Sequence, residues 1–452
     1  MNIEQKLSVE EIRSLLAKQD WAGLDSSLAL IHPADIAELL EALPVADRDG
    51  LFRRLPLEVA SEVFDEMSDE TRHGFFARFD DAYLADVLET LPMDDGASIL
   101  EDLPKEKTDH LLTLMVPERA VAVQQLLTYP PESAGRLMRT DMAALQVDWN
   151  VSQAVEAIRA APPDKTFYHL YIVDGENKLV GRVLSRSLLL AEPRQQLTEV
   201  MDSPRPAVHP ETDQEEVARL VAKYDVVAVP VLDQQDRLLG VVTVDDVLDV
   251  IRDEATEDIQ RMGGSEPLER SYFSTPALTI ARKRLGWLLL LFVAGTLTGV
   301  VIEAFELVWT QVVVLALFVP LIIDTGGNTG SQTVSTIIRA MSVGEVSYKN
   351  IWQAWRKEVT TGLFLGLALF AIGILFSMVI FKVELGVALT ISLTLMVVVL
   401  WSTTIGTLIP IIAEKLGLDA AVVSAPLITS LVDVTGLIIY YTLAGYLLGV
   451  FN

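Results

Sequence analysis

From Leu285 onward the chain runs in long apolar stretches separated by short polar breaks, at about 285–305, 311–338, 359–381, 386–413 and 421–450. About 20 apolar residues cross the hydrocarbon core as a helix, so the pattern predicts five spans. Before that point the period changes. Up to about residue 130, apolar residues recur every twelve positions, at Ile31, Leu43, Leu55, Met67, Phe79, Leu91, Leu103 and Met115. Proline follows within two positions at Pro33, Pro44, Pro56, Pro92, Pro104 and Pro117. Proline suits the first turn of a helix and ends the one before it. Amphipathic segments such as ADIAELLEAL and AYLADVLETL lie between these breaks. The reading is a stack of short helices, right-angled or superhelical.

A second repeat follows at an offset of 59 residues, where LYIVDGENKLVGRVLSRSLL aligns with VPVLDQQDRLLGVVTVDDVL. Asp174 matches Asp233, and Gly181 matches Gly240. An amphipathic helix precedes each copy, with a strand-like run before it. This strand–helix–strand–strand–helix pair resembles a tandem of CBS domains. The second copy carries the adenosine-binding pattern of such modules, Gly240-Val-Val-Thr243-Val-Asp-Asp246. The resemblance gives the Thr243 hydroxyl to phosphate and the Asp246 carboxylate to ribose. The first copy has Leu184 and Ser187 there, so at most one nucleotide site is intact. A pair that binds no nucleotide is the alternative. Next comes DVIRDEATEDIQRMGGSEPLERS, read as a helix to Met262 that Gly263-Gly264 ends. The domains are therefore 1–130, 131–250, 251–284 and 285–452. The fold class is multidomain: an α-helical superhelical N-terminal domain, an α/β CBS pair, a connector helix and an all-α membrane domain of five spans.

Charge is divided unevenly. The first 284 residues hold 53 of the 62 acids and 29 of the 35 bases, a net of −24. That surface repels nucleic acid and anionic lipid and attracts divalent cations, although acids also serve simply to solvate a large domain. There are no cysteines, which excludes disulfides, thiolate zinc sites and Cys catalysis. The opening MNIEQKLSVEEIRSLL reads as a polar helix start and not as a signal peptide. Arg282-Lys283-Arg284, then Lys349, Arg356 and Lys357, then Lys415 mark cytoplasmic ends by the positive-inside rule. The N-terminal half is then cytoplasmic, and five crossings of the cell membrane leave the C-terminus outside.

Two spans carry chemistry. Asp433 is the only charge in Ala425–Val450, and an ionised carboxylate at mid-membrane costs about 2.5–3.5 kcal/mol on insertion scales. It faces a bundle interior, an ion path or a partner charge. Span two contains PLIIDTGGNTGSQTVSTIIRA, in which Asp324 adds a second carboxylate and Asn328, Thr329, Ser331 and Gln332 add neutral oxygens. Its glycines allow either close backbone approach or a locally open helix. Two GxxxG patterns, Gly295–Gly299 and Gly362–Gly366, are candidate helix contacts. The ligand set is all oxygen and suits a hard cation such as Mg²⁺, which keeps several waters and takes few carboxylates.

The order of helical repeat, CBS pair, connector helix and five spans resembles the MgtE family of magnesium channels. The most specific motifs are TGGNTGSQ, ETDQEEVARL, VVTVDDVLDV, EATEDI and PLITSLVDVTGL. The resemblance implies a homodimer with a pore lined by spans two and five and Asp433 at the selectivity site; Asp324, where relatives carry glycine, and Asn328 are read as pore-lining from their own place in span two. It also implies a cytosolic Mg²⁺ sensor whose ligands fall on Glu62, Asp94, Asp213, Glu215, Asp225, Asp246, Asp249, Glu254, Glu257 and Asp258, with Asp419 before span five. The connector becomes a plug helix, and ATP a candidate regulatory ligand at Thr243 and Asp246. An acid that joins Asp94 in some relatives falls on Ser98 here. Thr212-x-x-Glu215 also reads as a capping box, with Asp213 in the first turn. The rival readings are a carrier of another divalent cation, Co²⁺ or Mn²⁺, and a membrane metalloprotease. The latter needs HExxH, whereas all five histidines lie before the spans. The chain therefore reads as a transporter and not an enzyme.

Overall fold

The computed structural model describes residues 9–451 except 19, 143, 161–168, 269–271 and 274. The expected helix opening at residues 1–8 lies outside the described residues. The chain divides into two compact units, residues 1–253 and 254–452.

The first unit begins with ten short helices. These are α1 (Val9–Lys18), α2 (Trp21–Leu28), α3 (Pro33–Glu41), α4 (Val45–Phe52), α5 (Leu57–Asp65), α6 (Asp69–Arg78), α7 (Asp81–Thr90), α8 (Met93–Glu101), α9 (Lys105–Leu114) and α10 (Pro117–Leu126). Each of α3, α5 and α7 packs on the next odd-numbered helix, and α8 packs on α10. The twelve-residue landmarks fall at the joints. Leu43, Leu55, Met67, Phe79, Leu91, Leu103 and Met115 are all buried. Each residue that ends one helix thus anchors the turn into the next, while proline at Pro44, Pro56, Pro92 and Pro104 caps the helix that follows. Phe52, Phe64, Phe75 and Phe79 form an aromatic centre with neighbouring ring centroids 4.6 to 6.1 Å apart.

The CBS pair follows. After α11 (Ala134–Leu137), the first copy is β1 (Ala144–Gln146), α12 (Val151–Ala160), β2 (His169–Val173), β3 (Leu179–Leu184) and α13 (Ser185–Leu190). Strand β1 is parallel to β2, and β2 is antiparallel to β3. After α14 (Leu197–Val200), the second copy is α15 (Gln214–Tyr224), β4 (Ala228–Leu232), β5 (Leu238–Thr243) and α16 (Val244–Met262), with β4 antiparallel to β5. Its leading strand-like run is reduced to a single bridge between Val208 and Val231. Pro204, Pro206 and Pro210 surround that run and withhold the donors a ladder needs. The matched aspartates shape turns. Asp174 accepts from the backbone N–H of Glu176 and Lys178, and Asp233 from Gln235 and Arg237, each at 2.9 Å. The two turns also bond each other, Leu179 N–H to Asp236 and Leu238 N–H to Asn177.

Among the described residues, the second unit holds the end of α16 and five helices long and apolar enough to span a membrane. They are α17 (Ala277–Ala304), then after α18 (Glu306–Gln311) and a 3-10 turn α19 (Val319–Ser342), α20 (Ile351–Val379), α21 (Leu385–Lys415) and α22 (Ala425–Leu447). Helix α21 is the hub and packs on α19, α20 and α22. Its buried Thr394, Ser402 and Thr407 donate to carbonyls one turn back, at 2.6 to 2.8 Å. One GxxxG pattern is used inside the chain, since a Cβ on Gly362 would meet Thr403 at 2.7 Å and one on Gly366 would meet Met396 at 3.0 Å. Gly295 and Gly299 have nothing within 4 Å among the described residues.

Because Phe52 packs against four other rings, those of Phe64, Phe75, Phe79 and Tyr83, and is wholly buried, Phe52→Ala is expected to cost about 3–5 kcal/mol. Urea-dependent proteolysis of the full chain should show the loss in the first unit, with the membrane helices unaffected.

Candidate functional site

Two carboxylate sites emerge, one in each unit. In the first, Asp94 lies in the opening turn of α8 and Asp246 in that of α16. Oxygen atoms of Asp94, Asp95 and Asp246 all lie within 4.8 Å of one another. Arg139 is set between them. Its Nε donates to Asp94 at 3.2 Å, and its terminal nitrogen donates to Asp245 at 2.9 Å and to Asp246 at 3.2 Å. The other oxygen of Asp246 accepts the Thr243 hydroxyl at 2.5 Å. The other oxygen of Asp94, Oδ1, is buried without a hydrogen-bond partner.

The backbone holds this arrangement. Arg139 exchanges two hydrogen bonds with Val241 of β5, at 2.8 and 3.0 Å. A Cβ at Gly240 would meet the Arg139 carbonyl at 2.7 Å, so the repeat glycine permits the close approach. The electrostatics are strained toward positive charge. Burial, then the charge of Asp246, pushes the Asp94 carboxyl up to about 7. Burial, then Asp94 and Asp65, pushes Asp95 up to about 9. Asp65, at the end of α5, rises to about 6 mainly by burial. Burial alone would lower Arg139, but Asp94, Asp246 and Asp245 outweigh it and hold its pKa raised. A hard cation with oxygen ligands fits such a cleft.

Sequence reasoning pointed to Asp94 and Asp246 but missed Asp95, Asp65, Asp245 and Arg139. The pair Asp94-Asp95 in a helix's first turn was a signal for one of them; nothing local marks Arg139, which is 45 residues from its first partner. Ser98 faces solvent on the same helix. The other expected sensor acids are scattered among the described residues. Glu62 is exposed on α5. Asp213 is itself the cap of α15, accepting from Glu215 N–H at 2.8 Å, while Thr212 instead accepts from His209 N–H. The expected Thr212 capping box is thus replaced by an Asp213 cap, because the helix begins one residue later and the Asp213 carboxylate reaches its second N–H. Glu215 pairs with Arg219 at 2.6 Å. Asp225 ends α15 in the left-handed conformation, at φ 49°. Asp249 pairs with Arg252 at 3.1 Å. Glu254, Glu257 and Asp258 continue along α16 in the second unit. There Arg261 pairs with both Glu257 and Asp419, so the end of α16 is tied to the loop before α22.

The second site lies in the membrane helices. A cavity of about 350 Å³ is lined by Pro320, Asp324, Gly327, Asn328, Thr429 and Asp433, with Val319 and Ile323. Helix α19 is continuous through the glycines, so they serve close approach and not an open helix. A Cβ on Gly326 would meet Val398 at 2.7 Å, one on Gly327 would meet Thr429 at 2.7 Å, and one on Gly330 would meet Ile428 at 2.8 Å. Ser331 and Thr429 hydroxyls share a hydrogen bond of 2.9 Å across the α19–α22 seam. Asp433 Oδ1 is buried with no hydrogen-bond partner, whereas Asp324 and Asn328 are exposed one turn apart on α19.

Five membrane-spanning helices with two carboxylates on a shared cavity, following an acidic half that carries a CBS pair, define a multi-pass membrane transporter with cytoplasmic N-terminal domains. The comparisons agree. A divalent cation transporter domain matches residues 319–443, the MgtE intracellular N domain matches 31–132, and CBS domains match 134–194 and 197–253. The magnesium transporter MgtE of Thermus thermophilus is 35% identical over 450 residues, 99% of each chain. That of Bacillus subtilis is 32% identical over 92% of this chain and 91% of the relative. The chain belongs to the MgtE family. Among solved structures, the cytosolic domain of the Mg²⁺ channel MgtE in complex with ATP matches with a TM-score of 0.51 at 34% identity. It covers 54% of this chain and all of that one. The soluble part of a magnesium transporter matches with a TM-score of 0.52 at 31% identity, over 55% of this chain.

Gly327→Val should force α19 from α22 at Thr429 and fill the cavity beside Asp433. Divalent flux is expected to fall by at least about tenfold, with normal membrane insertion. Wild-type flux in this variant would show that the cavity lies off the ion path.

Proposed function

We propose that the chain is a Mg²⁺-selective channel for magnesium uptake, closed by cytoplasmic Mg²⁺ bound to its acidic half. The observation that carries this reading is Asp433, a half-buried carboxylate with an unpartnered oxygen, which lines a cavity between α19 and α22 together with Asp324, Asn328 and Thr429. The magnesium transporters that match nearly end to end support the choice of ion. Asp324 and Asn328 would face lipid in a lone chain, at a cost of several kcal/mol for the charge. A second copy covering that face makes a homodimer with the pore between subunits and two copies of Asp433 on its axis. Two carboxylates balance one divalent ion that keeps much of its water. Asp433→Asn and Asp433→Ala are expected to abolish Mg²⁺ flux into liposomes while the protein stays folded; wild-type flux in either would refute the assignment. Flux compared among Mg²⁺, Co²⁺ and Mn²⁺ separates this reading from the rival one.

The sensor acids supply the gate. Without a cation the carboxylates around Asp94 and Asp246 repel, and an ion that binds the closed arrangement better shifts the balance toward it. Glu62, Asp213, Glu215, Asp225, Asp249, Glu254, Glu257, Asp258 and Asp419 are the further proposed ligands. Neutralising Asp94, Asp246 and Asp249 together should leave the channel open at millimolar cytoplasmic Mg²⁺ in patch recordings, where unchanged closure would reduce these acids to a solvated face. The C-terminus is outside in this reading. ATP, bound by a relative's cytosolic domain, would use Thr243 and Asp246 in the second CBS copy. It must then take Asp246 from its present partners, Thr243 and Arg139. Calorimetry with ATP should accordingly show binding that Asp246→Ala removes, and binding indifferent to that change would place ATP elsewhere.

A further inference from the structure

Asp433 does not stand alone in its cavity. Asp324 lines the same space, and the lining holds these two carboxylates and no base. The glycine contacts fix their relative height. A Cβ on Gly326 would meet Val432, one on Gly327 would meet Thr429 and lie 3.4 Å from Asp433 Oδ1, and one on Gly330 would meet Ile428. Rising numbers on α19 therefore meet falling numbers on α22, so the two helices are antiparallel and Asp433 is level with Gly327. Asp324 lies three residues before Gly327, about 4.5 Å of helix rise away. The direction of that step follows from the cytoplasmic N-terminal domains. Helix α17 leaves the cytoplasm and α19 returns to it, so the early residues of α19 are the outer ones. Asp324 is thus displaced from Asp433 toward the outside, and it is exposed where Asp433 is half-buried.

We propose that Asp324 is the ion-collecting residue of the outer mouth, drawing hydrated divalent cations to a station outward of Asp433 and passing them inward. The inference rests on the Mg²⁺ channel reading above and gives a task to a residue that reading leaves as lining. In the homodimer, two Asp433 carboxylates balance one divalent ion, and two Asp324 carboxylates balance a second. An ion held at a single site leaves slowly, and conduction is helped by a neighbouring site whose ion repels it. A second ion about one turn outward supplies that push. Exposure suits Asp324 to the task, because an exposed carboxylate holds an ion through its water shell, which Mg²⁺ gives up reluctantly. The low-dielectric walls of the mouth focus its field and raise the local concentration of cations.

The chain has no cysteine, so Asp324→Cys gives the full-length protein a single thiol whose charge is set by reagents added to one side. Patch recordings read Mg²⁺ current against outer Mg²⁺, with the cytoplasmic face free of Mg²⁺ to keep the gate open. Asp324→Asn and unmodified Asp324→Cys should raise the half-saturating outer Mg²⁺ by at least about threefold in low salt. The rise should largely vanish near 1 M salt, where the Debye length is about 3 Å. Added outside to Asp324→Cys, a sulfonate-bearing methanethiosulfonate should restore the wild-type dependence, and a trimethylammonium-bearing one should weaken the current further. Repair on the assembled protein separates a charge effect from a folding defect. Wild-type half-saturation in Asp324→Asn overturns the proposal. A loss that neither salt nor the sulfonate reagent alters makes Asp324 a packing residue and overturns it too, as does reaction from the cytoplasmic side alone. The channel reading fails by a separate result, Mg²⁺ current in Asp433→Asn. A silent Asp433→Asn beside wild-type dependence in Asp324→Asn removes only the role of Asp324.

Discussion

A carboxylate taken out of water needs a cation, and both halves of this protein are arranged around that requirement. Removing one partner from a buried ion pair costs about 3–5 kcal/mol. The soluble half meets the demand partly with Arg139 and leaves Asp94 Oδ1 unanswered. Among the described residues the membrane half offers no base beside Asp433, whose Oδ1 is likewise buried and unpartnered. A buried carboxylate oxygen without a partner in the chain calls for a water or an ion from outside it. In the proposed function the same hard cation answers both demands, one chemistry used twice.

Close backbone approach creates each site. At Gly240 the second CBS hairpin comes near enough for Arg139 to bond β5, and this fixes the guanidinium between two domains. At Gly326, Gly327 and Gly330, helix α19 lies against α21 and α22 so tightly that a methyl group would collide. The lipid bilayer supplies no hydrophobic drive between helices, so van der Waals contact over small residues does the packing. The glycines of TGGNTGSQ thus hold a rigid wall, and the oxygens of Asp324, Asn328 and Thr429 stand on it around the cavity.

The acids of the soluble half are not all equivalent. Asp174 and Asp233 are consumed in turns, Asp213 caps a helix, and Glu215 pairs along one. Those groups are locally satisfied, and a divalent ion would have to outbid backbone or arginine for them. Asp94, Asp95 and Asp246 differ because burial above all raises their carboxyls, and the guanidinium among them bonds Asp94 and Asp246 but not Asp95.

Local and periodic features were legible in the sequence by itself. The twelve-residue rhythm located every joint of the helical stack from Leu43 to Met115, since a buried residue at a helix end and a proline after it are neighbours in the chain. The 59-residue repeat gave the CBS hairpins, and apolar run length gave the five spans. Asp433 was visible because a lone charge in a span is costly wherever it points. Only the tertiary structure decided which acids share a cation. Asp95 and its neighbour Asp94 look alike in sequence to many other acidic pairs, and Arg139 lies 45 residues from Asp94 and 107 from Asp246. Coulomb energy depends on distance in space and on local burial, and neither quantity is written along the chain.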